Sequence, residues 1–312
     1  MSDTNSVGCV ALSCIANGQV SDLTGTELTV VLTAHNRADV VEGMLQTLAA
    51  QEWDADWDIA LVDNNSTDNT REVLDLWVDK MPVSTKVISA TERQNCSYAR
   101  SVGVAASEGQ SVVFLDDDDL IEPGFVEAVG EALRVEHLVG PRHSHDRLNS
   151  SAIARFRGSH QSTRLGETFG VPVASGGGFG CRRSLWERLG GQVEVFGYGA
   201  EDSEFCLRAS ALGVPAAFVP DAVYQVRHRA GIRASFHQAR RLSIASVRLY
   251  QRCGSDFGAG PDGLAAVSRS WAGLAYRVFS LRDRASRLNW AWQLGRRVGR
   301  IQGSLMERTW YP

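Results

Sequence analysis

Ser111-Val-Val-Phe-Leu-Asp-Asp-Asp-Asp119 is the stretch that most narrows the choice of fold. An apolar run that favours a buried strand leads directly into four adjacent aspartates. Like charges this close repel one another, so at least one carboxyl pKa should rise unless a cation is present. Carboxylate oxygens suit Mg²⁺ or Mn²⁺, which complete their coordination with phosphate oxygens and water. The stretch predicts a divalent-cation site at a strand end, with Asp116 and Asp118 as the natural pair. The alternative is an acidic turn whose aspartates cap a helix.

Apolar runs and amphipathic segments alternate along the first part of the chain. Strands are predicted at 28–33, 58–62, 86–89 and 111–115, and helices at 40–50 and 97–107. This alternation indicates an α/β fold with a mostly parallel central sheet flanked by helices. Ligands bind beyond the carboxyl ends of such strands. The polar turns that follow them should therefore meet in one crevice.

Composition and spacing divide the chain into three predicted regions. Of 312 residues, 44% are hydrophobic and 22% are charged, as in soluble globular proteins. Residues 1–26 are a leader of uncertain structure, 27–234 form the catalytic domain and 235–312 a basic, amphipathic helical extension. Within the domain, residues 140–175 lack periodic apolar positions, which predicts irregular structure around a site. The six cysteines form no CxxC pair, which indicates reduced thiols in a cytoplasmic protein.

The charge is unevenly distributed. Residues 1–226 carry 16 Lys and Arg against 32 Asp and Glu, whereas residues 227–312 carry 16 Arg against 4 acids. One interpretation places the basic extension on the inner face of an anionic membrane as a peripheral contact. The other has its helices pack over an acceptor cleft or form a homodimer. The tryptophans of the extension fit either interpretation: Trp271, Trp290, Trp292 and Trp310.

A second pair of carboxylates, Glu201-Asp202, follows Gly199 and opens a predicted helix. One of the two could act as general base toward an attacking hydroxyl, although simple helix capping is the better explanation of the pair taken by itself. His228 is a candidate metal ligand, whereas most lone histidines are structural. The chain has no GxGxxG after its first strand and no Walker motif, which argues against a dinucleotide site or a P-loop.

Several stretches together resemble the family 2 inverting glycosyltransferases, which have the GT-A fold. Thr33-Ala-His-Asn-Arg37 is similar to the motif after the first strand, and Val62-Asp-Asn-Asn-Ser-Thr-Asp-Asn-Thr70 to the nucleobase-binding turn. Gln94–Gly103 resembles the family's NxGxxxARNxG helix, and Phe114–Pro123 its FLDxDDxxxP element with the DXD motif. Gly177–Arg183 and Gly199–Asp202 resemble the acceptor-side glycines and the ED motif.

The resemblance implies a metal-dependent hexosyltransferase with assigned residues. Asp202 would be the catalytic base, with Glu201 beside it, and the metal (Mn²⁺ or Mg²⁺) would be held by Asp118, Asp116 and His228. The nucleotide-binding residues would be Thr33, Ala34, Asn36, Arg37, Asp63, Asn65, Arg100, Asp116 and Asp117. The acceptor or sugar would be bound by Gly176, Gly177, Trp186 and Glu201. The donor would be a nucleotide-sugar, with a UDP-sugar favoured. The acceptor would be a saccharide, a lipid-linked compound, a natural product or a peptide, as in polysaccharide or glycoconjugate biosynthesis.

The sequence departs from the family pattern at Asn64, Cys96 and Ser101, which stand where the family usually has Asp, Gly and Asn. These changes leave nucleotide and sugar preference open. One alternative is a nucleotidyl- or phosphoryl-transferring enzyme with the same acidic metal site. Another is a non-catalytic binding protein on a degenerate transferase fold with the basic extension as binder. The acidic body argues against nucleic acid as a partner.

Overall fold

Strands and helices alternate in the computed structural model, which describes residues 25–157, 161–174, 177–196, 199–261 and 263–311. The strands are β1 (Leu28–Ala34), β2 (Trp57–Asp63), β3 (Thr85–Ser89), β4 (Ser111–Asp116), β5 (Leu120–Ile121), β6 (Leu138–Ser144), β7 (Gly166–Thr168), β8 (Val171–Val173), β9 (Gly180–Arg182) and β10 (Ala217–Gln225). The α-helices are α1 (Val41–Ala49), α2 (Thr70–Trp77), α3 (Cys96–Ala105), α4 (Phe125–Val135), α5 (Ser151–Arg157), α6 (Arg183–Leu189), α7 (Glu201–Ala211), α8 (Ile232–Cys253), α9 (Leu264–Tyr276) and α10 (Arg284–Met306).

The central sheet has eight strands in the order β3-β2-β1-β4-β9-β6-β10-β5. β1 pairs in parallel with β2 and β4, and β10 pairs in parallel with β6, whereas β9 lies antiparallel between β4 and β6. The mostly parallel α/β sheet predicted from the sequence is therefore present. In the register of β1, Ala34 pairs with Asp63 and Thr33 pairs with Asp116. The polar turns after β1, β2 and β4 consequently leave the sheet at the same level, as the crevice requires.

Both faces of the sheet are covered. In β1, Val30 and Leu32 join the apolar cluster on one face, whereas Val31 joins the cluster on the other. Gly103 of α3 lies directly over Val31, and a Cβ there would stand 2.5 Å from its Cγ1. This close approach seats α3 on the sheet and points its residue Arg100 toward the strand ends.

Part of the region predicted to be irregular, residues 140–175, is regular. It contains the second half of β6, helix α5 and the β7–β8 hairpin. The end of β6 is polar, so periodicity did not reveal it. Its strand conformation is fixed by pairing with β10, where Tyr224 lies opposite His143. Tertiary pairing thus overrides a weak local pattern.

The extension predicted to be helical contains α8, α9 and α10, although no apolar periodicity within it singled out α8. Its buried side of small residues gives a weak apolar signal: Ser235, Ala239, Ser243 and Ala245. No helix in the described ranges has both the length and the apolar character needed to cross a membrane. Residues 1–24 of the predicted leader lie outside the described residues.

Glycines allow α8 and α10 to touch backbone to backbone. Gly295 lies against the Phe236 carbonyl oxygen and Gly299 against the Arg240 carbonyl oxygen, so close that neither position has room for a Cβ. Gly303 continues the same stripe one turn later. The two helices are therefore held at a short, fixed spacing.

Candidate functional site

A cleft of about 530 Å³ opens at the carboxyl edge of the sheet. It collects residues from the turns after β1, β4, β6 and β10 and from the start of α7. Eleven of the predicted site residues line it: Thr33, Ala34, Arg37, Arg100, Asp116, Asp117, Asp118, Gly177, Glu201, Asp202 and His228. Residues that are distant in sequence thus meet at one surface, where the resemblance places both substrates.

The aspartate run is electrostatically strained. Burial and then the charge of the neighbouring Asp118 raise the pKa of Asp117 to about 7, against the attraction of Arg37. Arg37 Nε donates to Asp117 Oδ1 at 3.1 Å, and its Nη2 lies 3.6 Å from Asp118 Oδ2. The pKa of Asp118 is also raised, first by burial and then by Asp116. Arg227 and Arg229 also line the cleft and oppose the rise in the pKa of Asp118, so several arginines face the carboxylates of the run.

Asp119 ties the aspartate turn to the end of β10. It is 6% exposed and accepts the Arg227 backbone N–H at 2.6 Å. Burial raises the pKa of Asp119 well above its usual value, and the charges of Asp116 and Asp118 raise it further. The hydroxyl of Tyr224 accepts the Asp116 backbone N–H at 3.1 Å. The acidic turn is therefore held by fixed contacts from a neighbouring strand.

Arg100 joins the two carboxylate sites. Its side chain is 2% exposed; Nη2 donates to Asp116 Oδ1 at 3.0 Å, and Nη1 donates to Asp202 Oδ1 at 2.9 Å. Gln192 accepts from Nη1 at 3.1 Å and donates its own amide to Asp202 Oδ1 at 2.7 Å. Arg100 was predicted as a nucleotide contact. Arg100 lines the cleft, and its bonds to these groups also hold the end of β4 against the start of α7.

Glu201 occupies a different environment from Asp202. Its Oε2 accepts the Gly199 backbone N–H at 2.7 Å. Burial raises the pKa of Glu201 to about 7, and the charge of Asp202 adds to the shift, whereas Arg100 opposes it. Glu201 therefore exchanges a proton near neutral pH.

Asn64 lines the cleft, and its side chain forms hydrogen bonds with the backbone around the β2 turn. Its amide nitrogen donates to the carbonyls of Ala90 at 2.8 Å and Arg93 at 2.6 Å, and its amide oxygen accepts the Asn95 N–H at 2.9 Å. The Asn64 carbonyl accepts from His35 Nδ1 at 2.7 Å, which places the ring proton of His35 on that nitrogen. The asparagine that stands in place of the family's usual aspartate therefore fixes the backbone of the β2 turn through these hydrogen bonds.

Two family profiles match this chain. The profile described as Glycosyl transferase family 2 matches residues 29–190, and the profile described as Glycosyl transferase family group 2 matches residues 111–294. The chain belongs to glycosyl transferase family 2.

Solved structures confirm the GT-A fold of this family 2 member. The mannosyltransferase PcManGT from Pyrobaculum calidifontis, in complex with GDP-Man and Mn²⁺, superposes with a TM-score of 0.59 at 20% identity, over 91% of both chains. S. aureus TarS 1-349, in complex with UDP-GlcNAc, gives 0.51 at 15% identity, over 92% of this chain and 93% of that one.

Alignments with curated sequence relatives cover only part of this family 2 chain. Validoxylamine A glucosyltransferase of Streptomyces hygroscopicus subsp. jinggangensis (strain 5008) is 26% identical over 256 residues, which is 71% of this chain and 58% of the relative. The chain spans about half the length of three curated relatives that it matches.

Among the described residues, four predicted site residues of this glycosyl transferase family 2 chain are not among those that line the cleft: Asn36, Asp63, Asn65 and Trp186. Asn36 Oδ1 accepts the Thr67 N–H at 2.7 Å and so braces the β2 turn, in which Asn65 has φ of 58°. Asp63 is buried, and its Oδ1 meets no hydrogen-bond partner in the described part of the chain. Gly176 lies outside the described residues.

The prediction that Trp186 contacts the acceptor or sugar is wrong. Trp186 is 5% exposed, and its ring packs 4.8 Å from Phe114 and 5.4 Å from Phe205 in the core under the sheet. Its position on α6 turns the indole inward. The neighbouring prediction, Gly177, does line the cleft, where a Cβ would overlap the Tyr224 hydroxyl.

Sequence reasoning missed two histidines of the family 2 site. His145 Nδ1 lies 2.9 Å from His228 Nε2, and His143 also lines the cleft. The two alternate at the end of β6, so recognising that strand would have revealed them. Gln192, Gln238, Leu242 and Trp292 carried no such signal. Among the described residues, no group of three or more His, Cys, Asp or Glu is arranged to hold a metal by itself.

Proposed function

We propose that this chain transfers a sugar from a nucleoside-diphosphate sugar to an acceptor hydroxyl with inversion at the anomeric carbon. The observation that carries the proposal is the pair of hydrogen bonds that buried Arg100 donates, one to Asp116 and one to Asp202. It places the end of β4, suited to a diphosphate and its cation, beside a carboxylate at the start of α7. A nucleotidyl- or phosphoryl-transferring enzyme would not need that second carboxylate.

Asp202 is proposed as the general base. Arg100 and Gln192 both donate to Asp202 Oδ1, which fixes the carboxylate plane. The carboxylate takes the proton of the acceptor hydroxyl as that oxygen bonds to the anomeric carbon. The bond from that carbon to the diphosphate oxygen breaks at the same time, and the nucleoside diphosphate leaves. Attack from the opposite face inverts the anomeric configuration.

The donor set of the aspartate turn fits a hard divalent cation such as Mn²⁺ or Mg²⁺. Asp116 and Asp118 are carboxylates whose mutual repulsion raises the pKa of Asp118, and a cation relieves that repulsion. Asp116 and Asp118 would hold the ion, with His228 as a further ligand in the same cleft. When bound, the ion supplies positive charge against the leaving diphosphate.

A UDP-sugar is the proposed donor. The buried Asp63 Oδ1 lacks a hydrogen-bond partner within the described ranges, and a carboxylate oxygen there can accept the imide N–H of a uracil. Support from the structural neighbours is divided, because TarS is in complex with UDP-GlcNAc and PcManGT with GDP-Man and Mn²⁺. The test must therefore include both bases.

The decisive experiment compares Asp202→Asn with the wild type. UDP-, GDP- and dTDP-sugars are first screened by thermal shift with Mn²⁺ or Mg²⁺, and the hits are then assayed for donor hydrolysis and transfer. Asp202→Asn should lose at least about 100-fold in turnover, because a general base contributes that much. NMR of the product should show the inverted anomer.

The matched control is Asp221→Asn, an exposed position on β10, which should keep wild-type turnover. Normal turnover by Asp202→Asn would remove the base assignment. Wild-type protein that binds no nucleotide-sugar would refute the transferase proposal and leave a non-catalytic binding protein as the better description.

A further inference from the structure

The C-terminal helices form one wall of the cleft. Gln238 and Leu242 of α8 and Trp292 of α10 line it together with Glu201 and Asp202. None of these three side chains belongs to the donor site described above. The extension therefore reaches the same cleft as the base.

Leu242 connects this wall to the start of α7. Gly199 has φ of 100°, and Leu242 Cδ2 lies so close to it that a Cβ would not fit. The Gly199 N–H is in turn bound by the Glu201 carboxylate at 2.7 Å. The wall thus abuts the turn that presents Asp202.

Trp292 is held in place by α5. Its ring centroid lies 6.0 Å from that of Phe156, and the two planes meet at 69°. This edge-to-face contact fixes the indole, which remains partly exposed in the cleft. A fixed, partly exposed indole offers a flat apolar platform to a ligand.

Gln238 adds a polar side chain to the wall. Its amide oxygen is buried and has no hydrogen-bond partner within the described part of the chain, although its side chain lines the cleft. Leaving a buried acceptor unsatisfied is unfavourable, so a hydroxyl donor from a ligand is well matched to this position. Trp292 and Gln238 together suit a ring with one apolar face and a hydroxylated edge.

We propose that Trp292, Gln238 and Leu242 form the acceptor subsite and that it takes a pyranose or a similar polyhydroxylated ring. This inference rests on the proposed function, because it assigns Asp202 to the attacking hydroxyl. The ring stacks its C–H face on Trp292 and donates a hydroxyl to Gln238. A polyprenyl chain would need a continuous apolar groove, whereas here the apolar side chains alternate with Gln238 and Glu201.

The test measures direct binding, which does not depend on turnover. Methyl hexopyranosides are titrated by saturation-transfer NMR against the full chain with Mg²⁺ and either UDP or GDP, whichever raises its thermal midpoint. The wild type should saturate at least one glycoside. Trp292→Ala should weaken its binding about tenfold, the loss of one aromatic stacking contact.

Trp290→Ala is the matched control, two residues away on α10, where the indole N–H donates to the Leu274 carbonyl at 3.0 Å outside the cleft. It should bind the glycoside as the wild type does. Circular dichroism and the thermal midpoint establish that both variants are folded. Gln238→Leu provides a second, smaller change and should also weaken binding.

Two results would overturn the subsite: no saturation of any glycoside by the wild type, or equal affinity in Trp292→Ala. Saturation of farnesyl phosphate in place of the glycosides would overturn it in favour of a lipid acceptor. Glycoside binding that depends on Trp292 without any sugar transfer would instead refute the proposed function alone. Transfer that does not depend on Trp292 would refute the subsite alone.

Discussion

Replacing Asn64 with aspartate tests whether the hydrogen bonds of its side chain fix the β2 turn. The change restores the residue that the family usually carries, yet it removes the only donor group of a side chain that is 4% exposed. Two carbonyl oxygens, those of Ala90 and Arg93, would then face a carboxylate oxygen in place of an amide N–H. The Asn95 N–H would keep its acceptor.

The expected loss follows from these contacts. Each lost hydrogen bond removes roughly 0.5–1.5 kcal/mol, and each carbonyl left unsatisfied costs about 1–3 kcal/mol, with part of the two terms shared. Asn64→Asp should therefore lower the free energy of unfolding by about 4 kcal/mol at pH 7. At about 2 °C per kcal/mol for a chain of this size, the melting temperature should fall by about 8 °C.

Urea unfolding and calorimetry at pH 7 and pH 4 measure this loss. At pH 4 the deficit should shrink, because a protonated aspartic acid can again donate to one carbonyl. Asn65→Asp is the matched control: it makes the same chemical change at the next residue, whose φ of 58° Asp tolerates. A loss below about 1 kcal/mol for Asn64→Asp, or an equal loss for Asn65→Asp, would refute the reasoning.

Three further substitutions probe the site. Burial raises the pKa of Glu201 from 4.5 to about 7, so wild-type stability is lost as pH rises through 7. In urea unfolding, the free energy of unfolding of Glu201→Gln should equal that of the wild type near pH 5 and exceed it by about 1–3 kcal/mol at pH 8. Gly177→Ala would press a methyl group against the Tyr224 hydroxyl and should cost about 1–3 kcal/mol in the same assay. Gln192→Met removes a donor to Asp202; kcat should fall roughly tenfold at unchanged donor KM, and the acidic limb of its pH profile should move to higher pH.

Matched variants accompany each of these. Glu187→Gln, at an exposed position of α6, is the matched variant, and an equal gain there would make the Glu201 result non-specific. Gly166→Ala places its Cβ in open space and should be neutral. For Gln192→Met, an unshifted pH profile with lower kcat would indicate a packing role instead of a positioning role.

The parts of the fold that could be predicted from sequence are those with a strong local pattern. The apolar run 28–33 and the stretch 111–119 predicted two central strands, and their shared register in the sheet made the turns converge. The end of β6 was missed, and α8 was not delimited within the predicted helical extension, because polar and small residues carry little periodicity. Their conformation is set by pairing with β10 and packing against α10.

The site residues that could be predicted are likewise those that lie in local motifs. Asp116, Asp118 and Asp202 were identified because motifs keep them in recognisable local patterns. The hydrogen bond from Arg100 to Asp202 joins residues 102 positions apart in the sequence, and no local sequence pattern encodes a contact over such a separation. Trp186 was misplaced because a tryptophan near a glycine-rich loop gives no indication of which side of its helix faces the core.

Glycines on α10 determine how acceptor preference in this protein could be redesigned. Gly295 and Gly299 touch the backbone of α8, so the spacing of the two helices is independent of the side chains at Gln238 and Trp292. Those two positions can therefore be varied in combinatorial libraries while the wall keeps its place. Gly299→Ala would do the reverse, because it forces the helices apart and displaces every group on the wall together.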